Sequence, residues 1–272
     1  MSRRKTTRAI IRAIAVCGLL VATLRHGLAQ IDQRYSVASR QVSPITSKGL
    51  AAIDVAAQDG KYLFMFFWKA NDEQSRNMRG VFQSAMKNWT DSTNSIGIQI
   101  TDSREKAVVE KLGLSRAPMP MVLALAPNGA ITKAFPIKFD EDKLREGFVS
   151  PCTASCLKSL QDHKLTLLCI QNERTQFAQA AMSAALNFKA DPRYSKATEI
   201  LTLNPDDQAE TVLLQELKVN PQTPQAVTVL LAPPGQPVAT FVGAVTKDEI
   251  VSKVQAGPCA GGKCGPGGCC PK

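Results

Sequence analysis

The sequence predicts an α/β protein in which one sandwich is built twice. Three observations carry that prediction. The chain repeats itself at a spacing of roughly one hundred residues. Each copy holds a continuous apolar run of strand length, Lys61–Trp68 in the first and Lys164–Ile170 in the second, as expected for a strand covered on both faces. Each copy then ends on near-identical text, LALAPNG at 123–129 and VLLAPPG at 229–235. Their Pro-Asn-Gly and Pro-Pro-Gly ends are turn chemistry that leads into a hairpin partner.

The elements follow in order. The first copy opens with Ser43-Pro44 and the second with Ser150-Pro151, which reads as Ser at the N-cap and Pro at the first helical position. The first helix runs through LAAIDVAA and delivers the chain to the apolar strand. A helix follows a short polar turn. Its apolar positions are Met78, Val81, Phe82, Ala85 and Met86 in one copy and Phe177, Ala181, Ala184 and Phe188 in the other, at helical spacing. Asp72 and Glu73, like Glu173, stand near the start of this helix, where acids are stabilised by the helix dipole. Short strands come next, IGIQI and EILTL, then helices through VVEKLGLS and LLQELKVN. Proline turns at Ala117-Pro118 and Thr223-Pro224 enter the hairpins, whose second strands read ITKAF and VATFV. Final helices start near Asp140 and Thr246. A parallel pair with crossover helices and a hairpin at one side makes an α/β sandwich, over 43–149 and again over 150–256.

The ends of the chain read differently. Residues 1–29 have the grammar of a cleaved secretory signal: a basic start (MSRRKTTR), an apolar run from Ala13 to Leu24, and Gly27-Leu28-Ala29 as a small-residue cleavage site. The run is too short for a comfortable membrane helix, which needs about 20 residues, so the processed chain is expected to hold no stable membrane span. Val16 is too bulky to make Cys17 a lipid-attachment site. Residues 30–42 form a polar lead-in. The location expected is outside the cytoplasm, periplasmic or extracellular. Charge argues against nucleic acid as a partner. Six basic residues (Arg3, Arg4, Lys5, Arg8, Arg12 and Arg25) lie in the signal, and taking them from the formal +10 leaves +4, with no basic stripe interleaved with aromatics.

The element order resembles the thioredoxin family over about 43 to 256. In the first copy the resemblance rests on a strand ending in Trp68, a proline before the third strand (Pro118, or Pro120 two residues on), and the hairpin through Pro127-Asn128-Gly129. In the second it rests on Pro224 and the hairpin at Pro233-Pro234-Gly235. The resemblance implies two tandem thioredoxin-like α/β/α sandwiches. It also implies a site at the mouth of the helix after the first strand, where two cysteines separated by two residues do redox chemistry and the helix N-terminus favours the thiolate. Here those positions fall on Lys69 and Asp72 in the first copy, and on Ile170 and Glu173 in the second with Cys169 at the place of Trp68. Both pairs are missing. The family's peptide groove would then involve Trp68, Lys69, Ala117 and Pro118, and in the second copy Thr223 and Pro224.

Three functional readings follow. The first is a non-catalytic scaffold that binds a protein or peptide partner. The second uses the remaining cysteines. Cys152 and Cys156 stand four apart at the start of a helix and so share one side. The tail at 257–272 carries Cys259, Cys264, Cys269 and Cys270 among glycines and prolines that cannot build a core. These six could form disulfides, wrap Cu(I) or Zn(II), or serve as a redox arm. The third is an oxidoreductase using Cys169 alone, weighed against a buried strand-end thiol. His163 is the only histidine after the signal, which excludes histidine triads and multi-histidine metal sites, and there is no phosphate-cradling glycine loop.

Overall fold

The computed structural model describes residues 47–256. The signal, the lead-in, Ser43–Thr46 and the tail with Cys259, Cys264, Cys269 and Cys270 lie outside the described residues. Within them the chain forms α1 (Lys48–Asp59), β1 (Tyr62–Trp68), α2 (Glu73–Asn88), β2 (Thr93–Gln99), α3 (Lys106–Lys111), β3 (Met121–Leu125), β4 (Ile131–Pro136) and α4 (Glu141–Arg145). The same order follows as α5 (Pro151–Gln161), β5 (Leu165–Ile170), α6 (Ala178–Ala190), β6 (Thr198–Leu203), α7 (Thr211–Glu216), β7 (Val227–Ala232), β8 (Gln236–Val242) and α8 (Lys247–Gln255).

The two sheets have the same topology, β2-β1-β3-β4 and β6-β5-β7-β8. In each the first pair is parallel and the rest antiparallel. Two thioredoxin-like α/β units therefore stand in tandem. β1 is buried on both faces because the alternation of a strand sends its side chains into two cores. Leu63, Met65 and Phe67 pack toward α1 and α3 with Ile98 and Val108. Phe64 and Phe66 pack toward α2 and α4 with Phe82, Ala85, Phe139 and Leu144. In the second unit Leu168 and Ile170 take the first role, and Leu167 and Cys169 the second, against Ala181, Ala184 and Phe188.

Several local expectations are corrected. The N-cap of α1 is Ser47, whose hydroxyl accepts from the Leu50 N–H, while Ser150 and Pro151 open α5 as expected. Asp72 caps α2. Glu173 caps nothing, because α6 begins only at Ala178. Phe177 is not on the core stripe of that helix: it is exposed at φ 63° just before it. The proline that abuts β3 is Pro120, joined to Met119 by a cis peptide, and Pro118 is exposed two residues earlier.

The units meet through α5 and the β3–β4 hairpin. Ala126, Ala130 and Ala154 form a small buried cluster flanked by Tyr62, Val149 and Leu157. At the end of the first unit, next to this cluster, the Tyr62 hydroxyl donates to the Val149 carbonyl at 2.6 Å and accepts from its N–H at 3.1 Å. Asn128 Nδ2 donates to the Ala154 carbonyl at 2.9 Å. The Gln161 carboxamide both donates to the Ile131 carbonyl (2.7 Å) and accepts from the Ile131 N–H (2.9 Å).

Candidate functional site

The register of the strands fixes which residues of the two units correspond. Phe67 lies opposite Met121, and Ile170 opposite Val227, at matching points of the repeated hairpin text. Phe66 therefore corresponds to Cys169, and Trp68 to Gln171. The mouth positions that correspond to Lys69 and Asp72 are Asn172 and Thr175, not Ile170 and Glu173. Cysteine is missing from both pairs of mouth positions in either alignment, but Cys169 moves away from the site. It is 1% exposed inside β5, on the face toward α6. Burial pushes its thiol up to about 11, against a smaller opposing effect of the neighbouring Thr228 hydroxyl. A buried thiol held protonated is no nucleophile.

In the first unit the mouth lies between the end of β1, the N-terminus of α2 and the segment before β3. Asp72 accepts the Ser75 N–H at 2.7 Å, and this bond holds its carboxyl below the usual range, with help from Arg76. Lys69 is exposed, and its carbonyl accepts from Gln99 Nε2 at 3.3 Å. A concave surface of about 820 Å³ opens beside them, lined by Lys69, Ser75, Lys106, Arg116, Ala117 and Met119 among others. Lys69 and Ala117 thus lie together, as the sequence expects. Pro118 does not line this surface. Trp68 is on the other face of the sheet, because strand alternation sends it toward α2. There its ring stacks with Phe66 at 5.8 Å, and the Arg79 guanidinium lies 4.1 Å over it.

The second mouth is closed by its own chain. Gln176 pairs with Gln225 as an isolated parallel bridge. The Gln176 N–H donates to the Pro224 carbonyl at 2.8 Å, and its carbonyl accepts from the Ala226 N–H at 2.9 Å. Thr223 turns inward, its hydroxyl donating to the Gln225 carbonyl at 3.1 Å. Thr223 and Pro224 therefore do not form an open groove. Asn172 and Thr175 bond each other, Asn172 N–H to Thr175 Oγ1 at 2.9 Å, and Asp206 holds Asn172 and Arg174 from outside. The late start of α6 explains the difference. The residues that would form its first turn instead make a turn at Glu173-Arg174 and a one-residue bridge at Gln176.

Cys152 and Cys156 lie one turn apart on α5. Both are free thiols on α5, Cys156 being 4% exposed and Cys152 half-buried. Each thiol acts on the other, lowering Cys156 and raising Cys152, and burial raises Cys152 further. Below them is a feature that sequence reasoning missed. Glu210, 4% exposed, accepts from the Ser150 hydroxyl at 2.5 Å and the Cys152 N–H at 2.9 Å. Glu105 does the same under α1, accepting from the Ser47 hydroxyl (2.6 Å) and the N–H groups of Lys48 and Gly49 (both 3.0 Å). Each glutamate satisfies donors that a helix N-terminus leaves unpaired. The signal was there to be read, as Asp-x-x-Glu at 102–105 and again at 207–210. Among the described residues no group of three or more His, Cys, Asp or Glu side chains could hold a metal ion. Among them, too, no helix is long and apolar enough to cross a membrane.

No protein-family model matches the chain, and no curated protein matches it. Solved structures similar to it are thioredoxin-like. Thioredoxin O2 from Arabidopsis thaliana, in its oxidised state, is 15% identical over 36% of this chain and 80% of that one, with a TM-score of 0.30. The germline-specific thioredoxin Deadhead from Drosophila melanogaster is 18% identical over 36% and 85%, also with a TM-score of 0.30. A DsbF homologue from Corynebacterium diphtheriae is 13% identical over 32% and 70%, with a TM-score of 0.26.

Proposed function

We propose that this chain is an exported, non-catalytic thioredoxin-like scaffold that binds an extended segment of a protein partner along the open mouth of its first unit. The observation that carries the reading is the contrast between the two mouths. One is bridged by the chain's own Gln176, while the other leaves the segment before β3 beside a concave surface. Neither holds a thiol where disulfide exchange would need one, so no electrons can pass at these positions. The rim carries Lys69, Lys106 and Arg116 against Asp72 and Glu110, and this positive balance suits a partner segment that carries carboxylates, since such pairs steer and orient more than they bind.

The test uses the full chain without its signal. Random peptides displayed on phage are selected on it, and the recovered peptides are titrated by fluorescence anisotropy against the parent and a Lys69→Glu/Arg116→Glu variant. Acidic peptides that lose about tenfold or more in affinity for the variant, equivalent to roughly 1.4 kcal/mol, support the reading. Peptides that bind both proteins equally, or catalysed reduction of insulin disulfides by the parent, overturn it. N-terminal sequencing of exported protein should begin at Gln30.

A further inference from the structure

We infer that the first unit holds a second recognition site, apart from the mouth: the open edge of β2 takes an extended segment of a partner chain as an added strand, and Arg79 takes a carboxylate side chain of that segment. Two observations meet there. The first is electrostatic. Arg79, on α2, has its guanidinium 4.1 Å over the Trp68 ring, and its Nε and Nη2 are buried with no hydrogen-bond partner among the described residues. Those two N–H groups lie side by side on one edge of the guanidinium plane, the fork that a carboxylate fills with two parallel bonds. A desolvated cation held by an aromatic face still lacks the acceptors it had in water. Arg79 walls a cleft of about 230 Å³ with Trp68, Phe82 and Gln83, and the cleft reaches Gly97 on β2. Arg79 as a whole is half-buried, so a small swing of its guanidinium brings the fork into this cleft.

The second observation is the edge itself. Among the described strands β2 pairs with β1 alone. That pairing uses alternate residues: the Tyr62 N–H donates to the Ser92 carbonyl at 3.1 Å, and the Ile100 N–H to the Trp68 carbonyl at 2.9 Å. By the same alternation the N–H and C=O groups of Ser95, Gly97 and Gln99 point away from β1. Outer strands are commonly guarded by charge or proline. β4 carries Pro136 and β8 Pro237, and β6 carries Glu199 between Lys164 and Lys189. β2 reads TNSIGIQ and has neither guard. Gly97 joins the edge to the cation. A Cβ on it would stand 3.1 Å from Trp68 Cζ3. A strand added about 4.8 Å away would place one residue beside Gly97, looking across bare backbone to that ring and the cleft. An Asp or Glu there meets Arg79. The backbone supplies affinity, and the carboxylate fixes register and choice of partner.

The repeat shows that packing demands none of these groups. The buried residues along α2 and its C-cap, Phe82, Ala85, Met86 and Trp89, have the spacing of Ala181, Ala184, Ala185 and Phe188, which puts Ala178 at the place of Arg79. Gln171 stands at the place of Trp68. Thr202, opposite Cys169 as Gly97 is opposite Phe66, stands at the place of Gly97. The second unit replaces cation, ring and gap together, and its Glu199 guards the edge.

The experiment takes the full chain without its signal and with Lys69→Glu and Arg116→Glu, so that the mouth cannot contribute. Random peptides displayed on phage are selected on it and titrated by fluorescence anisotropy. Peptides with one indispensable Asp or Glu should emerge. Changing that residue to Asn or Gln should lower affinity about tenfold or more. Arg79→Gln in the protein should lower it as much and abolish the difference between the two peptides, a cycle that separates pairing from loss of folding. Gly97→Thr, which installs the residue of the second unit, should weaken the acidic peptide likewise with an unchanged circular dichroism spectrum. Bound peptide should slow hydrogen exchange at the Ser95, Gly97 and Gln99 amides. Recovery of no peptide, a preference for the acid that survives Arg79→Gln, or protection confined to other strands would overturn the inference. So would a self-associated protein whose β2 amides are protected without peptide, since a second copy then fills the edge. Loss or retention of binding at Lys69 and Arg116 is read separately and changes none of these outcomes.

Discussion

A buried carboxylate under a helix start is an expensive arrangement unless every donor around it is used, and Glu105 meets that condition with three bonds. Removing it strands the Ser47 hydroxyl and two amides in a dry place. Glu105→Ala should therefore lose about 2–4 kcal/mol of stability, read from urea unfolding. Two other single residues work against their backbone. Ile137 at φ 66° and His163 at φ 59° occupy the left-handed region, where the matching residues of the other unit are Gly243 and Gly60. A β-branched side chain fits that region poorly. Ile137→Gly and His163→Gly should each gain up to about 1 kcal/mol in the same measurement. Legibility at this scale was uneven. Asp72 could be read as a cap from its type and place. The face taken by Trp68 could not be read, because a run apolar at every position hides which side chains share a side.

Among the elements, the start of α8 is tied to the end of α6 through one carboxylate. Asp191, at the end of α6, accepts from the Arg193 guanidinium at 2.9 and 3.0 Å, and Lys247 Nζ, at the start of α8, lies 2.8 Å away. The Arg193 side chain, then Lys247 and the Arg193 N–H, hold its carboxyl far below the usual range. A carboxyl lowered on folding adds stability above the unfolded value of about 3.9, and that contribution is lost as pH falls from there toward the folded value. The urea midpoint of the parent should drop more steeply below about pH 4 than that of Asp191→Asn, when both are followed by circular dichroism. At this scale the sequence was most informative. The apolar runs marked β1 and β5, and turn residues marked both hairpins. It misled at the β5–α6 connection, where nothing local separates a strand end from an extended loop. The strand register, set by pairing with β7, decides it. The bridge from Gln176 to Gln225 joins residues too far apart in sequence for any local pattern to show.

For the molecule as a whole, the joint between the units is built from small side chains and backbone carbonyls. Ala126, Ala130 and Ala154 leave room only for methyl groups. If this joint couples the units, the parent should melt in one calorimetric transition, and Ala154→Arg should split it into two without abolishing either unit's circular dichroism. Two transitions in the parent would show the units to be thermodynamically separate. The tandem plan itself was plain in the sequence, because the repeat is long and its hairpin text is almost the same. The joint was not, since alanines and a glutamine carry no pattern of their own.

That glutamine has a further effect. With its carboxamide joined to both polar groups of Ile131, Gln161 imitates a strand one residue long. Ile131 begins β4, the last strand of its sheet, and unpaired last strands are where foreign chains add and aggregates grow. By spending one side chain of the second unit there, the protein denies a stranger its first foothold on the first.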